Sequence, residues 1–291
     1  MSSALIPHMK ELRRTNYTKS SSPGGSRGRR QLAKVLRDSS GTVSPAQAAA
    51  TLDVSSIKAA KQLARWANQG WVTRIRRGLY MPVPLESTGS DAALEDAWIV
   101  AERMFAPCYI GGVSAAEHWG MTEQVFRTIM VMTTRKPKDR SPTVRGARFQ
   151  LRSVKKESLF GLKAIWRGRV RVNVADPSRT VIDMMVDPAL GGGLRSSVDI
   201  LRAYLASKEF KNIKQLLSYA DQLDSGAVFK RLGFLLERFA PSETDAIKFC
   251  RQRLTQGNAM LDPSLPSKRL VSAWRLWIPP LDSLDMKKGN Q

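Results

Sequence analysis

The sequence predicts an α+β protein with two domains, and three observations support this prediction. The chain has 291 residues, more than the roughly 100 to 200 residues of one typical domain. Hydrophobic residues make up 42% and charged residues 25% of the chain, as in ordinary folded proteins. Helical periodicity and a hairpin come first, strands with alternating apolar residues follow, and helical periodicity returns at the end.

The positive charge is concentrated in two blocks of the chain. Lys and Arg number 47 against 25 Asp and Glu, which gives a net charge of +22. Residues 1–83 carry 15 basic and 3 acidic side chains, and residues 135–171 carry 13 basic and 2 acidic ones. Arginine predominates in both blocks, and its planar fork suits phosphate groups. A polyanion is therefore the expected partner.

Several classes of protein are disfavoured by composition. No apolar run approaches the roughly 18 residues that a membrane-spanning helix needs, and the first residues lack a secretory signal, so we expect a cytoplasmic protein. The cysteines Cys108 and Cys250 and the histidines His8 and His118 do not have the spacing of a zinc site. We therefore expect neither a metal nor a cofactor.

The first helix is predicted to follow a polar leader. Residues 1–27 contain too little apolar surface to order themselves, so they predict a flexible basic arm. Leu32, Val35 and Leu36 then form one apolar face, and Gly41 ends the helix.

The second and third helices are indicated by their capping residues. Ser44 is the expected N-cap of the second helix, with Pro45 in first position and Gln47 completing a capping box. Ser55 is the expected N-cap of the third helix. The expected apolar face of that helix consists of Ile57, Ala60, Ala64 and Ala67.

A basic hairpin is predicted after the third helix. Residues 71–75 and 79–81 are β-prone, and Arg76, Arg77 and Gly78 join them. Three helices followed by a basic hairpin are typical of a winged helix-turn-helix, which we place at residues 28–85. In such a domain the third helix enters a major groove about 12 Å wide, and the wing holds phosphates.

The candidate DNA-binding residues follow from this arrangement. They are Ser44, Ser55, Ser56, Lys58, Lys61, Gln62, Arg65, Arg74, Arg76 and Arg77. Four of them are expected to contact base edges: Lys58, Lys61, Gln62 and Arg65. The wing arginines are expected to contact the DNA backbone or the minor groove. The alternative is that the third helix presents an ordinary solvated face.

A second domain is predicted at residues 91–255, followed by a tail at 256–291. Apolar periodicity predicts a helix around Trp98, and Ser114 with Glu117 predicts a capping box. Three strands and five later helices are expected. The strands are 128–133, 149–154 and 170–174, and the helices are one that starts at Asp176 and Pro177 and those at 200–205, 213–220, 228–239 and 244–254.

The second basic block predicts a secondary basic surface if its residues share one face. Its members are Arg135, Lys136, Lys138, Arg140, Arg148, Arg152, Arg167, Arg169 and Arg171. Such a surface would bind phosphates without base specificity and with a steep salt dependence. The alternative is a set of scattered arginines that pair with acidic helices such as the one holding Asp221 and Asp224.

Signatures of an enzyme are weak, so we expect no catalytic residues. The run Gly191–Gly193 lacks the Lys-Ser/Thr pair of a phosphate loop, and His118 has no nucleophile at a recognised spacing. Asp139 with Gln150 and Arg152 is similar to a restriction-nuclease pattern, but Asp139 lies in a basic loop. A nuclease is therefore the least favoured alternative.

Five short motifs of the chain form a recognisable set. They are 77–82 (Arg-Gly-Leu-Tyr-Met-Pro), 109–112 (Tyr-Ile-Gly-Gly), 114–120 (Ser-Ala-Ala-Glu-His-Trp-Gly), 122–124 (Thr-Glu-Gln) and 174–180 (Val-Ala-Asp-Pro-Ser-Arg-Thr). Together they resemble the motifs of AbiEi-like antitoxins of type IV toxin–antitoxin (abortive infection) systems. The resemblance spans about residues 30–255, and residues 1–27 and 256–291 have no clear counterpart.

The resemblance implies a phage-defence autorepressor. Its winged helix would bind inverted repeats in its own promoter, with two copies per operator as one possibility. Its C-terminal domain would counteract a nucleotidyltransferase-type toxin without a stable complex. Asp176 and Pro177 would be a structural helix start. The alternative is a general DNA- or RNA-binding protein that uses the 135–171 surface.

Overall fold

The computed structural model describes most of both predicted domains. The described residues are 24–39, 41–83, 96–144, 146–168 and 170–280. Residues 1–23 of the predicted arm, the predicted linker near residue 90, Arg169 and residues 281–291 lie outside them, as does the side chain of Arg76.

The N-terminal domain is a three-helix unit with a β-hairpin. Its elements are α1 (Gly24–Arg37), α2 (Pro45–Leu52), α3 (Ser56–Asn68), β1 (Val72–Arg76) and β2 (Leu79–Pro82). Val43, just before α2, exchanges two backbone hydrogen bonds with Tyr80 of β2, at 2.7 and 2.9 Å. This bridge adds a third strand position to the hairpin and fixes the wing beside the start of α2. The described α1 begins inside the segment predicted as an arm.

The core of the N-terminal domain includes one face of each helix and the inner side of the hairpin. On α3 the inward residues are Ala59, Leu63 and Trp66, all 0% exposed. The expected apolar face of α3 was therefore wrong. Ile57 is 72% exposed, and Ala64 is exposed as well. The physical reason is that Leu63 and Trp66 remove far more apolar area from water than alanines do.

The C-terminal domain begins with a helix and a mixed sheet. These elements are α4 (Ala97–Phe105), β3 (Cys108–Ile110), α5 (Gly112–His118), β4 (Thr128–Thr133), β5 (Thr143–Val144), β6 (Ala147–Ser153), β7 (Leu162–Arg167) and β8 (Val170–Ala175). The strand order is β5-β6-β4-β3-β8-β7. The three predicted strands are confirmed as β4, β6 and β8, and β3, β5 and β7 were not predicted.

Helices cover both faces of this sheet. The Cys108 thiol lies 3.7 Å from the Ala101 carbonyl of α4. The hydroxyl of the next residue, Tyr109, donates to Asp183 at 3.1 Å on the other side. Because successive side chains of a strand point to opposite faces, α4 and the helix holding Asp183 sandwich the sheet.

The Ser114–Glu117 capping box was a wrong prediction. The N-cap of α5 is Gly111, and Ser114 lies inside the helix. The Ser114 hydroxyl accepts the backbone N–H of Met130 at 3.0 Å, and the Glu117 carboxylate accepts that of Phe126 at 3.5 Å. Both side chains therefore tie α5 to the chain around β4 instead of closing the helix start.

Five helices form the second half of the domain. They are α6 (Pro177–Val186), α7 (Leu194–Ala206), α8 (Ile213–Leu223), α9 (Gly226–Phe239) and α10 (Thr244–Gln252). Asp176 is the N-cap of α6, since its carboxylate accepts the N–H of Arg179 at 2.8 Å. The predicted structural role of Asp176 and Pro177 agrees with this geometry.

Residues 256–280, predicted from the sequence to be a tail, are part of the C-terminal domain. Three short strands form a sheet of order β10-β11-β9. Their bounds are β9 (Ala259–Met260), β10 (Arg269–Val271) and β11 (Leu276–Ile278). Trp274 is 0% exposed and donates from Nε1 to Glu237 of α9 at 2.5 Å. Leu276 and Ile278 are also buried in the main hydrophobic cluster.

Candidate nucleic-acid interface

Two capped helix starts position α2 and α3. The Ser44 hydroxyl accepts the Gln47 N–H at 3.3 Å, and the Gln47 side chain accepts the Ser44 N–H at 3.0 Å, which confirms the predicted capping box. Ser55 caps α3 by accepting the Lys58 N–H at 3.4 Å. Between the helices Asp53 has a φ of 53°, so the chain turns sharply there. The structure thus gives Ser44 and Ser55 a capping role, and their contact with DNA stays a prediction.

The outward side of α3 is cationic. Lys58, Lys61 and Arg65 are exposed, and none of them forms an ion pair with another described residue. Residues 41–83 contain one acidic side chain, Asp53. Because no carboxylate neutralises these three cations within the described part of the chain, their field is available to a phosphate backbone.

Two other predicted residues of α3 differ in exposure. Ser56 is exposed in the first turn of the helix, whereas Gln62 is half-buried beside the inward face. Gln62 therefore has less freedom to reach a base edge than the three cations have.

The wing brings further cations close to α2. Arg74 is exposed on β1, opposite Tyr80 of β2, and Arg77 is exposed in the turn. A Cβ built on Gly78 would lie 4.0 Å from Pro45 Cδ, so the wing turn is next to the N-terminal end of α2. A helix N-terminus carries partial positive charge. The turn and the helix end therefore add to one positive region.

The second basic block is not gathered on one face. Arg152 of β6 forms an ion pair with Asp187, just beyond α6. Arg167 of β7 lies against the other face, with its guanidinium 4.5 Å from the Trp98 ring of α4 and 3.8 Å from Asp96. These two arginines thus point away from each other across the sheet.

The remaining members of the block are also separated. Arg148 on β6 and Arg171 on β8 are exposed, but β4 and β3 lie between their strands. Arg135 donates to the Met104 carbonyl at 3.2 Å. Lys136, Lys138 and Arg140 are exposed on the loop after β4. The arrangement agrees with the alternative of scattered arginines, since Arg152 and Arg167 pair with acidic residues at helix ends. The example of Asp221 was wrong, because Asp221 pairs with Arg253 at 2.5 Å.

His118 lies in a cavity of about 360 Å³ without the arrangement of a catalytic site. Its ring contacts those of Trp98 and Trp119, with centroids 5.4 and 4.7 Å away. Burial lowers the pKa of His118, and the nearby Arg167 lowers it further. Ser114 lines the same cavity, but its hydroxyl oxygen already accepts a backbone N–H.

Asp139, the acidic residue of the nuclease-like pattern, does not belong to a cluster of possible metal ligands in the described part of the chain. The Asp139 carboxylate accepts the Ser141 N–H at 2.8 Å in an exposed turn. Within the described ranges, no three His, Cys, Asp or Glu side chains come together as a metal site. In the same part of the chain, no helix is both long and apolar enough to cross a membrane.

A helix-turn-helix with a bridged hairpin, and with exposed cations on both, defines a winged helix-turn-helix protein. Residues 30–83, which hold these elements, match the family model described as "Transcriptional regulator, AbiEi antitoxin". The N-terminal domain is thus similar to that of AbiEi antitoxin transcriptional regulators, as the resemblance predicted. A search of curated proteins gives no match.

Proposed function

We propose that this protein is the autorepressor and antitoxin of a type IV toxin–antitoxin system. It binds inverted repeats in its own promoter through α3 and the wing, in the cytoplasm, and counteracts a nucleotidyltransferase-type toxin without a stable complex. The observation that supports this most is that Lys58, Lys61 and Arg65 are exposed and form no ion pair with another described residue, on a helix whose other face is buried in the core.

Quantitative footprinting of the DNA upstream of its own coding sequence tests operator binding. Lys58→Ala, Lys61→Ala and Arg65→Ala should each reduce the preference for this DNA over unrelated duplex by about 1 to 3 kcal/mol if they reach base edges. Lys248→Ala is the matched control, because Lys248 is an exposed lysine of α10 without an ion pair to another described residue. Equal affinity of the wild type for unrelated duplex would contradict operator recognition.

The wing arginines are expected to behave differently. Arg74→Ala and Arg77→Ala should weaken binding to all duplexes alike, because contacts to phosphate carry no sequence information. Each lost phosphate contact should reduce the slope of log K against log salt concentration by about 0.9. A change in sequence preference without a change in this slope would indicate that these arginines contact base edges and not phosphates.

The antitoxin role is tested by growth. The product of the neighbouring open reading frame should arrest growth when it is expressed alone, as a nucleotidyltransferase-type toxin would. Co-expression with this protein should restore growth, and a Lys58→Ala, Lys61→Ala, Arg65→Ala triple variant should do so equally well. Gel filtration of the mixed proteins should show two separate species. Loss of rescue in the triple variant would mean that counteraction depends on DNA binding.

A further inference from the structure

The recognition helix α3 presents a large apolar side chain to solvent in the first turn of its outward side. Ile57 is 72% exposed, although the helix buries Ala59, Leu63 and Trp66 completely. At 3.6 residues per turn, Ile57 projects almost opposite the buried Ala59 and Trp66. The exposure therefore follows from the docking of the whole helix and not from a loose end of the chain.

Cations and small residues surround Ile57 on this side. Lys61 and Ala64 follow it at i+4 and i+7, so all three share one stripe, and Lys61 and Ala64 are exposed as well. Ala60 borders the stripe and is half-buried. Because the alanine side chains beside Ile57 are short, Ile57 is the apolar side chain that projects furthest from this positively charged side of α3.

We infer that Ile57 reads a thymine methyl group in the major groove, an inference that rests on the proposed operator binding. The occupant of this side is a polyanion, because its cations have no acidic partner among the described residues. On the major-groove floor each base pair presents hydrogen-bonding groups, and the C5-methyl group of thymine is the apolar one. An isoleucine side chain cannot form hydrogen bonds, so its favourable contact there is with that methyl group.

Ile57 thereby adds a specificity determinant to the polar residues of α3. Lys58, Lys61 and Arg65 attract the duplex and can donate hydrogen bonds to acceptor groups. Their charged ends do not distinguish a base that carries a methyl group from one that lacks it. Ile57 would distinguish thymine from the other bases at one position of each half-site.

The test removes a single methyl group from the DNA. Duplexes enriched by the full chain from a random-sequence pool supply the probe, and each thymine is then replaced by deoxyuridine, which keeps the base pair and the O4 acceptor. At one position the replacement should weaken wild-type binding roughly four- to tenfold. Ile57→Ala should bind the thymine duplex more weakly by a similar factor and should be insensitive to the replacement.

Val125→Ala is the matched control, because Val125 is 82% exposed in the C-terminal domain. This variant should keep the full sensitivity to deoxyuridine. Circular dichroism of Ile57→Ala should match the wild type, since Ile57 contributes little to the core.

The possible failures are distinguishable. If no sequence is enriched from the pool, sequence-selective binding itself fails, and the role of Ile57 fails with it. If a sequence is enriched but no thymine position is sensitive, or the sensitivity persists in Ile57→Ala, the inference about Ile57 is overturned and the proposed operator binding stands.

Discussion

At the scale of single residues, breaking the buried ion pair of α6 should strongly destabilise the C-terminal domain, because it leaves a buried charge without a partner. Arg179 Nε donates to Asp183 Oδ1 at 2.8 Å, and the Tyr109 hydroxyl contacts both groups. Asp183→Asn removes the charge that Arg179 needs in a site without water access. We expect it to lower the free energy of unfolding by about 3 to 5 kcal/mol, measured by urea denaturation.

An exposed pair in the same domain is the control for this prediction. Asp199 lies 3.9 Å from Arg202 on the surface of α7, where water screens both charges. Asp199→Asn should therefore change the free energy of unfolding by less than about 1 kcal/mol. If Asp183→Asn lowered the free energy of unfolding as little as Asp199→Asn does, Arg179 would have to form a compensating contact with another group in the variant.

A second prediction at the scale of residues concerns how the stability of the fold depends on pH through His118. Burial and Arg167 lower the pKa of His118 in the folded protein, so the folded state resists protonation. The unfolded chain binds the proton with an ordinary pKa of about 6.5. The stability that neutral His118 contributes is thus present above that pH and is lost as the pH falls below it.

The variant His118→Phe isolates this effect. It keeps a ring against Trp98 and Trp119 but cannot titrate, so its urea midpoint should fall less than that of the wild type between pH 7 and pH 5.5. Glu117 lines the same cavity and is unchanged in both proteins. Parallel loss of stability in the two proteins would exclude His118 as the source.

At the scale of elements, the start of α2 is where sequence and structure agree most closely. The hydroxyl of Ser44 and the side chain of Gln47 exchange hydrogen bonds with each other's backbone. Ser44→Ala should lower the stability of the N-terminal domain by about 1 kcal/mol, seen as faster amide exchange in α2. Ser44→Asp should restore most of it, because a carboxylate also caps a helix; if it does not, the cap is not the reason for the loss.

Other elements show why sequence patterns mislead. The capping of α2 is local, so the spacing of Ser44 and Gln47 was sufficient to predict it. The orientation of α3 is not local: two apolar stripes compete, and Leu63 with Trp66 decides between them only when α1 and the wing are in place. Ser114 has the spacing of a cap, but β4, which is distant in sequence, offers it the Met130 N–H.

The same reasoning applies to the candidate interface. Exposure of Lys58, Lys61 and Arg65 was predictable, because charged side chains on a helix face water. The division of the second basic block over two faces was not, since it depends on the strand order and on the unpredicted β7. Trp98 and Asp96, which hold Arg167, meet it only in the folded sheet.

At the scale of the whole molecule, the extent of the C-terminal domain decides which fragments fold. Residues 256–280 supply Trp274 to the core of α9, where Gly233 leaves room for its ring. They also supply the Met260 carbonyl, which accepts Arg231 Nε at 2.8 Å. A chain that ends at Thr255 loses the Trp274 burial, worth about 3 to 5 kcal/mol, and leaves a buried donor unpaired.

We therefore expect two shortened chains, one that ends at Thr255 and one that ends at Pro280, to differ in the stability of the C-terminal domain. A chain that ends at Pro280 keeps both contacts and is the reference, and its unfolding in urea is followed by circular dichroism. A chain that ends at Thr255 should lose the cooperative transition of its C-terminal domain, because the combined loss approaches the total stability of a typical domain, about 5 to 15 kcal/mol. An unchanged urea midpoint for the shorter chain would mean that the C-terminal domain is complete at α10 and that β9, β10 and β11 add nothing to its stability.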